Sequence, residues 1–252
     1  MKSFLVLVFY MLMGFQILAQ VQKQTREDTH VWIAFISSIQ LNEKWNLLAD
    51  VHYRRTDFLN RPGFFVARVA PEYKFKTGLN LAAGYANLLT APTSPALNTW
   101  VDEHRIFQQL IYPSSIGKIS LLHRIRNKQR WRQIMDTKND TWTGEYAFTN
   151  RVRYLLSLNI PINHSEKHPA FILADEILVH FGKSITYNTF DQNRIFVGYR
   201  QNISKKLAFD VGYIRIFQQK QRGFQYDLNH TIRLFFYGNF SGEHHKNHQH
   251  SL

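Results

Sequence analysis

Apolar and polar residues alternate with a period of two through most of the chain after residue 29. Around residue 152, for example, Val152 and Tyr154 lie on one face while Arg151 and Arg153 lie on the other. Such alternation is typical of a β-strand with one apolar and one polar face. The same region has no convincing apolar stripe with the 3.6-residue period of a helix. The pattern therefore predicts an all-β protein.

The alternation marks eleven segments as strands. They are 30–39, 45–55, 64–75, 79–89, 102–112, 118–130, 145–160, 170–181, 192–203, 207–217 and 227–237. Most are about ten residues or longer, which a tilted strand needs to cross a bilayer, whereas strands of globular proteins usually have about five or six. The lengths favour an antiparallel transmembrane β-barrel. A soluble periplasmic β-sandwich is the alternative.

The connections between these segments alternate in length. Short ones contain residues 42–44, 76–78, 113–115 and 204–206, and longer ones cover 56–63, 90–101, 131–144, 182–191 and 219–226. Short turns on one rim and long loops on the other are typical of outer-membrane barrels. The connection 161–169 is the exception, because it is long on the short side.

The strand number conflicts with a rule for this class of barrel. Bacterial single-chain barrels have an even number of strands, and the segment 21–29 is too polar to be an obvious extra one. We therefore predict twelve strands, with ten as the alternative, on the assumption that one strand was missed, merged with a neighbour or split.

The first residues have the features of a secretory signal. Met1 and Lys2 precede an apolar run over 4–15, and Ala19 follows before a polar stretch. This order predicts a signal peptide cleaved after Ala19, because the run is too short for a spanning helix. The predicted organisation is a signal peptide (1–19), a polar segment (20–29), a barrel (30–240) and a His-rich disordered tail (241–252). Its expected location is the outer membrane of a Gram-negative bacterium.

Composition narrows the chemistry. The absence of Cys excludes a disulfide scaffold, a thiolate metal site and a Cys nucleophile, and 31 Lys and Arg against 18 Asp and Glu favour anionic partners. Export makes nucleic acid an unsuitable partner. We expect contacts with outer-membrane lipid and the barrel-assembly machinery, and a monomeric chain.

Several short motifs occur in a characteristic order: Glu103 to Gln109, His123 to Arg126, Arg151 to Tyr154, Asp175-Glu176, Asp191 to Arg194 and Gly212-Tyr213. In this order the chain resembles the domain-of-unknown-function 2490 family, over about residues 31–236. The resemblance implies an outer-membrane barrel and brings no assigned activity. One departure is Lys128, where the family pattern has an acid, which puts in doubt a local ion pair there.

The alternating polar face is expected to line the barrel interior as a charge network. Its candidate members are Glu103, Arg105, Arg124, Arg126, Arg130, Glu145, Arg151, Arg153, Glu176 and Arg194. One interpretation is a set of cross-strand ion pairs that fills a narrow lumen. The other is a water-filled path whose surplus cations favour anions. The predicted function is accordingly a narrow or plugged pore.

Other activities have no motif to support them. The sequence has no zinc-binding spacing of histidines and no nucleophile elbow or phosphate loop. We therefore predict no metal, no cofactor and no catalytic residue. The alternative functions are an outer-membrane lipid-modifying enzyme and a soluble periplasmic β-sandwich binding protein. Trp100, Trp131 and Trp142 are candidate contact residues in the long loops.

Overall fold

The computed structural model describes residues 23–163 and 168–241, and these residues form eleven strands. They are β1 (Gln24–Gln40), β2 (Trp45–Thr56), β3 (Arg61–Lys74), β4 (Asn80–Thr90), β5 (Val101–Ile116), β6 (Ile119–Asp136), β7 (Thr141–Pro161), β8 (Ala170–Phe181), β9 (Phe190–Asn202), β10 (Leu207–Gln219) and β11 (Gln225–Ser241). A search of the described residues for a helix long and apolar enough to cross a membrane found none.

The strands close into one barrel. Consecutive strands pair antiparallel, and β1 closes the ring by pairing in parallel with β11, from Gln24 opposite Gln225 to Gln40 opposite Ser241. Every strand therefore has two partners, and the sheet has no free edge. The closed ring excludes the sandwich alternative. It also corrects the predicted twelve strands, and the alternative of ten, because an odd number closes when one pair is parallel.

The barrel starts earlier than the sequence pattern suggests. β1 begins at Gln24, within the segment predicted to precede the barrel. Its first residues are polar, but the ladder to β11 joins backbone groups and does not require apolar side chains. The predicted signal peptide lies outside the described residues, as does the His-rich tail beyond Ser241.

The hairpin of β6 and β7 is longer than predicted. Both strands continue to a turn at 137–140, so Trp131 and Trp142 lie on strands and not in a loop. Trp100 does lie in a connection, the segment 91–100. The backbone N–H groups of Asn98 and Thr99 donate to the carboxylate of Asp140 at 2.7 and 3.2 Å. This contact fastens the 91–100 segment to the tip of the hairpin.

Two facing glycines make room for an aromatic ring inside the barrel. Gly198 of β9 is opposite Gly212 of β10, and the Phe196 ring lies against both. A methyl group at Gly198 would collide with that ring and would approach the Val211 carbonyl oxygen to 2.8 Å. The Phe196 ring therefore occupies space in the wall that side chains at these two positions would fill.

We expect Gly198→Ala to lower the free energy of unfolding by about 1–3 kcal/mol, the usual cost of overfilling a packed site. Denaturant titration of the chain in a neutral detergent measures the change. Adding Phe196→Leu should recover part of the loss, because the smaller side chain leaves space for the methyl group. Unfolding of Gly198→Ala at the wild-type midpoint would contradict this account.

Candidate functional site

Charged side chains inside the barrel gather around a few buried acids. Glu103 of β5 accepts from Arg105 at 2.7 Å and from Arg130 of β6 at 2.5 Å. Because Arg105 is the cross-strand neighbour of Arg130, both guanidinium groups reach the same carboxylate. The alternation places these residues on the inner face, and the register of β5 with β6 brings them together.

Glu176 of β8 is the second centre. It pairs with Arg124 of β6 at 3.0 Å, Arg153 of β7 at 3.3 Å and Arg194 of β9 at 3.2 Å. Arg194 is its direct cross-strand neighbour, whereas Arg124 reaches it across β7. A single carboxylate thus joins four strands.

Two further acids serve the opposite side of the barrel. Asp210 of β10 accepts from Arg200 at 2.8 Å and from Arg233 and the Tyr237 hydroxyl at 2.7 Å each. Asp50 of β2 pairs with Arg68 of β3 at 2.6 Å and with His52 at 2.8 Å. All of these contacts except Asp50–His52 bridge neighbouring strands, so they hold the register of the strands in addition to neutralising buried charge.

A fifth acid, Asp191, begins one of the family-like motifs but is absent from the predicted network. It is fully buried and lies 3.1 Å from Arg151 and 3.4 Å from His180. Its position in the alternation predicts an outward side chain. The register of β8 with β9 shifts between Leu178 and Val179, and this irregularity adds a residue that turns Asp191 inward. Only the paired register, and not the sequence pattern, shows the bulge.

The structure places nine of the predicted network residues inside the barrel. They are Glu103, Arg105, Arg124, Arg126, Arg130, Arg151, Arg153, Glu176 and Arg194. Arg126 has no acidic partner there, and instead donates to the Gln109 side chain and stacks on Phe107 at 5.0 Å. Lys128 likewise has no ion pair with any described residue.

Glu145 does not join this network. It is exposed on the protruding part of β7 and forms no ion pair with the residues that the structure describes. A strand rises about 3.3 Å per residue, so Glu145 lies roughly 20 Å along the chain from Arg151. The alternation gives the face of a residue but not its height in the barrel.

Part of the inner wall is apolar. One cluster joins β1 with β8 to β11 and consists of Trp32, Ala34, Ile172, Phe196, Ile214, Ile216 and Phe235. A second joins β3 to β5 and consists of Val66, Ala70, Ala82, Ala86, Leu88 and Phe107. Sequence reasoning assigned the polar positions to the lumen and missed these, although their inward parity could have identified them.

Charged and apolar walls enclose a cavity of about 860 Å³. It extends from residues near the long-loop rim, such as Asp28 and Lys220, to Ser120 and Asn159 near the short-turn rim. Within the described residues, no three His, Asp or Glu side chains cluster in a way that could hold a metal ion. No described Ser or Thr hydroxyl is hydrogen-bonded to a histidine.

The family comparison assigns no activity to the chain. Residues 29–229 match the model described as "Protein of unknown function (DUF2490)", which covers most of the chain. The chain belongs to the DUF2490 family. No curated protein and no solved structure matches this DUF2490 chain.

We expect Glu176→Gln to destabilise the barrel by about 3–5 kcal/mol, because three arginines lose their shared buried counter-charge. Chemical unfolding in neutral detergent measures the loss. Glu145→Gln is the matched control: it makes the same change on an exposed side chain and should stay within about 0.5 kcal/mol of wild type. Equal effects of the two substitutions would show that the network does not stabilise the fold.

Proposed function

We propose that this DUF2490 chain is an outer-membrane β-barrel that acts as a narrow pore with an Arg-rich, ion-paired interior. The observation that carries the proposal is the distribution of its side chains, which is the reverse of that in a water-soluble protein. Charged groups lie inside, and apolar groups cover the outside. A soluble protein normally buries its apolar side chains and exposes its charges.

The aliphatic composition of the outer wall supports the proposal that the barrel lies in lipid. Outward positions such as Val69 (46% exposed), Ile106 (47%), Ile195 (44%) and Val197 (51%) are aliphatic around the ring. Exposed apolar patches larger than a few hundred Å² are rare on soluble monomers. A band of this kind is expected where strands face acyl chains.

Aromatic side chains concentrate toward both ends of this wall. At the short-turn rim, Trp45, Tyr73 and Phe75 stack edge to face with ring centroids 5.0 and 4.9 Å apart. Toward the long-loop rim, Trp131 stacks with Phe148 at 5.2 Å. Aromatic rings at both membrane interfaces are a feature of outer-membrane barrels.

The charge of the interior lining supports the proposal of a narrow path for anions. The cavity follows the barrel from one rim toward the other, and the arginines that line it outnumber the buried acids. Rings of Arg and Lys favour anion passage. The ion pairs around Glu103 and Glu176 occupy much of a lumen this narrow, so its conductance should be small. Export through the predicted signal peptide and insertion by the barrel-assembly machinery, as a monomer, complete the proposal.

The mature chain should fractionate with the outer membrane and migrate anomalously on denaturing gels when unboiled. Val152→Arg should impair assembly more than Arg153→Gln, because a cation on the lipid face at the bilayer midplane costs about 2–4 kcal/mol. The yield of the unboiled folded form measures assembly. Recovery of the chain as a soluble periplasmic protein would contradict the proposed location, and the reverse order of the two variants would contradict the proposed lipid face.

Planar-bilayer recording tests the pore. We expect small anion-selective steps, and smaller anion selectivity in Arg124→Gln and Arg151→Gln because each removes a lumen cation. A silent wild type in which these substitutions create conductance would instead identify a barrel plugged by its ion pairs. Cation selectivity would contradict both forms of the proposal.

A further inference from the structure

Five Arg and Lys side chains that line the cavity form no ion pair with a described acid. Arg26 and Arg132 are exposed, and Arg55 donates to the Leu59 carbonyl oxygen. The other two are Arg54 and Lys128.

The guanidinium of Arg54 on β2 stacks 3.3 Å from the centre of the Trp32 ring and 4.4 Å from that of Phe64. Its Nε atom is buried without a hydrogen-bond partner. Stacking satisfies the faces of the guanidinium plane but leaves the N–H donors around its edge available.

Lys128 of β6 is buried, with 5% of its surface exposed. Its cross-strand neighbours are Phe107 on one side and Arg151 on the other, so neither supplies a negative charge. The described residues give its ammonium no ion pair and no hydrogen bond. An ammonium buried without a counter-charge is costly.

The same three arginines repel both cations. Arg68, Arg105 and Arg153 all lie within coulombic reach of Arg54 and of Lys128. The acids near this group are already shared, because Asp50 holds Arg68 and Glu103 holds Arg105. Glu176, which holds Arg153, also holds two further arginines. Arg54 and Lys128 therefore contribute positive charge that the described side chains leave uncompensated.

An anion between the two would supply the missing charge. The edge of a guanidinium binds a carboxylate or a phosphate through two parallel hydrogen bonds, and an ammonium adds a third donor. Both side chains line the same cavity, so both are accessible to a ligand in the lumen.

Part of the wall of the same cavity is apolar and suits a hydrocarbon, although Arg233 stacks on Phe196 and Phe235 at 4.1 and 4.2 Å. Trp32, which stacks on Arg54, continues into an apolar surface formed by Phe196, Ile214, Ile216 and Phe235. The cavity of about 860 Å³ is within the size range of small-molecule sites, which combine a mostly apolar lining with a few placed polar groups.

We propose that the lumen binds an anionic amphiphile, with its carboxylate or phosphate head at Arg54 and Lys128 and its hydrocarbon body along the wall of Trp32, Phe196 and Phe235. This names a ligand class for the proposed pore, and rests on the lumen but not on the membrane location. A bound amphiphile would also obstruct the anion path.

Calorimetric titration of the purified full chain in a neutral detergent, with a detergent-only blank, tests the proposal. The probes are dodecanoate and dodecyl phosphate, the heads alone as acetate and inorganic phosphate, and dodecanol as the neutral chain. We expect at least one twelve-carbon anion to bind at least about tenfold more tightly than its head alone, which lacks the apolar contacts, and than dodecanol, which lacks the charge-assisted hydrogen bonds.

Arg54→Gln and Lys128→Gln should each weaken that binding about tenfold or more, and Lys118→Gln, the same change in an exposed turn, should leave it unchanged. Lys128→Met separates binding from folding. Removal of a repelled cation should maintain or raise thermal stability while binding is lost.

Equal binding of the heads alone would overturn the amphiphile, and equal binding of dodecanol would overturn the role of the cations. Binding that persists in both glutamine variants, or no binding of any probe, would overturn the site. These failures are distinguishable from failure of the pore proposal. A soluble or non-conducting chain that still binds dodecanoate through Lys128 would refute only the pore, whereas a conducting barrel without this affinity would refute only the ligand.

Discussion

The parallel ladder between β1 and β11 is the interaction on which the rest of the structure depends. It joins residues 24–40 to residues 225–241 and is the only strand pairing among the described residues that closes the sheet into a ring. Without it, both strands would present unpaired backbone groups along their whole length. Closure also converts one face of a sheet into an enclosed interior, so that side chains such as Glu103 and Asp210 become buried. The charge network exists because the ring is closed.

Inside that ring, a few acids organise many cations. Glu176 contacts arginines from three other strands, and Asp210 joins two arginines and a tyrosine hydroxyl. Buried ion pairs seldom stabilise a protein more than apolar packing would, but loss of one partner is costly. The network therefore specifies register more than it adds stability. A one-residue slip between β8 and β9 would separate Glu176 from Arg194 and move the inner set of side chains outward.

The sequence was sufficient to predict the strands and the faces of most of their side chains, because a period of two is a local property. Features that depend on pairing between distant residues were not predictable. The strand number depended on β1 meeting β11 in parallel, and the general rule of even numbers led to the wrong count although the alternation marks eleven segments. The inward direction of the Asp191 side chain depended on a bulge, and the distance of Glu145 from the network depended on its height along the hairpin. The apolar part of the wall was missed because polarity was used as the only sign of an inward position.

The interior cations fall into two groups, those that other side chains of the barrel hold in place and those that they do not. Arg105 and Arg130 share the carboxylate of Glu103, and Arg126 combines Gln109 with the Phe107 ring. A barrel that needed only to stay folded could replace the unpaired cations by apolar side chains, and Phe107 beside Lys128 shows that this part of the wall accepts them. Replacement of a buried charge by an apolar group of similar volume is often neutral or stabilising. Neither the ladder nor the ion pairs require Arg54 or Lys128, so the reason for their presence is to be sought in what enters the lumen.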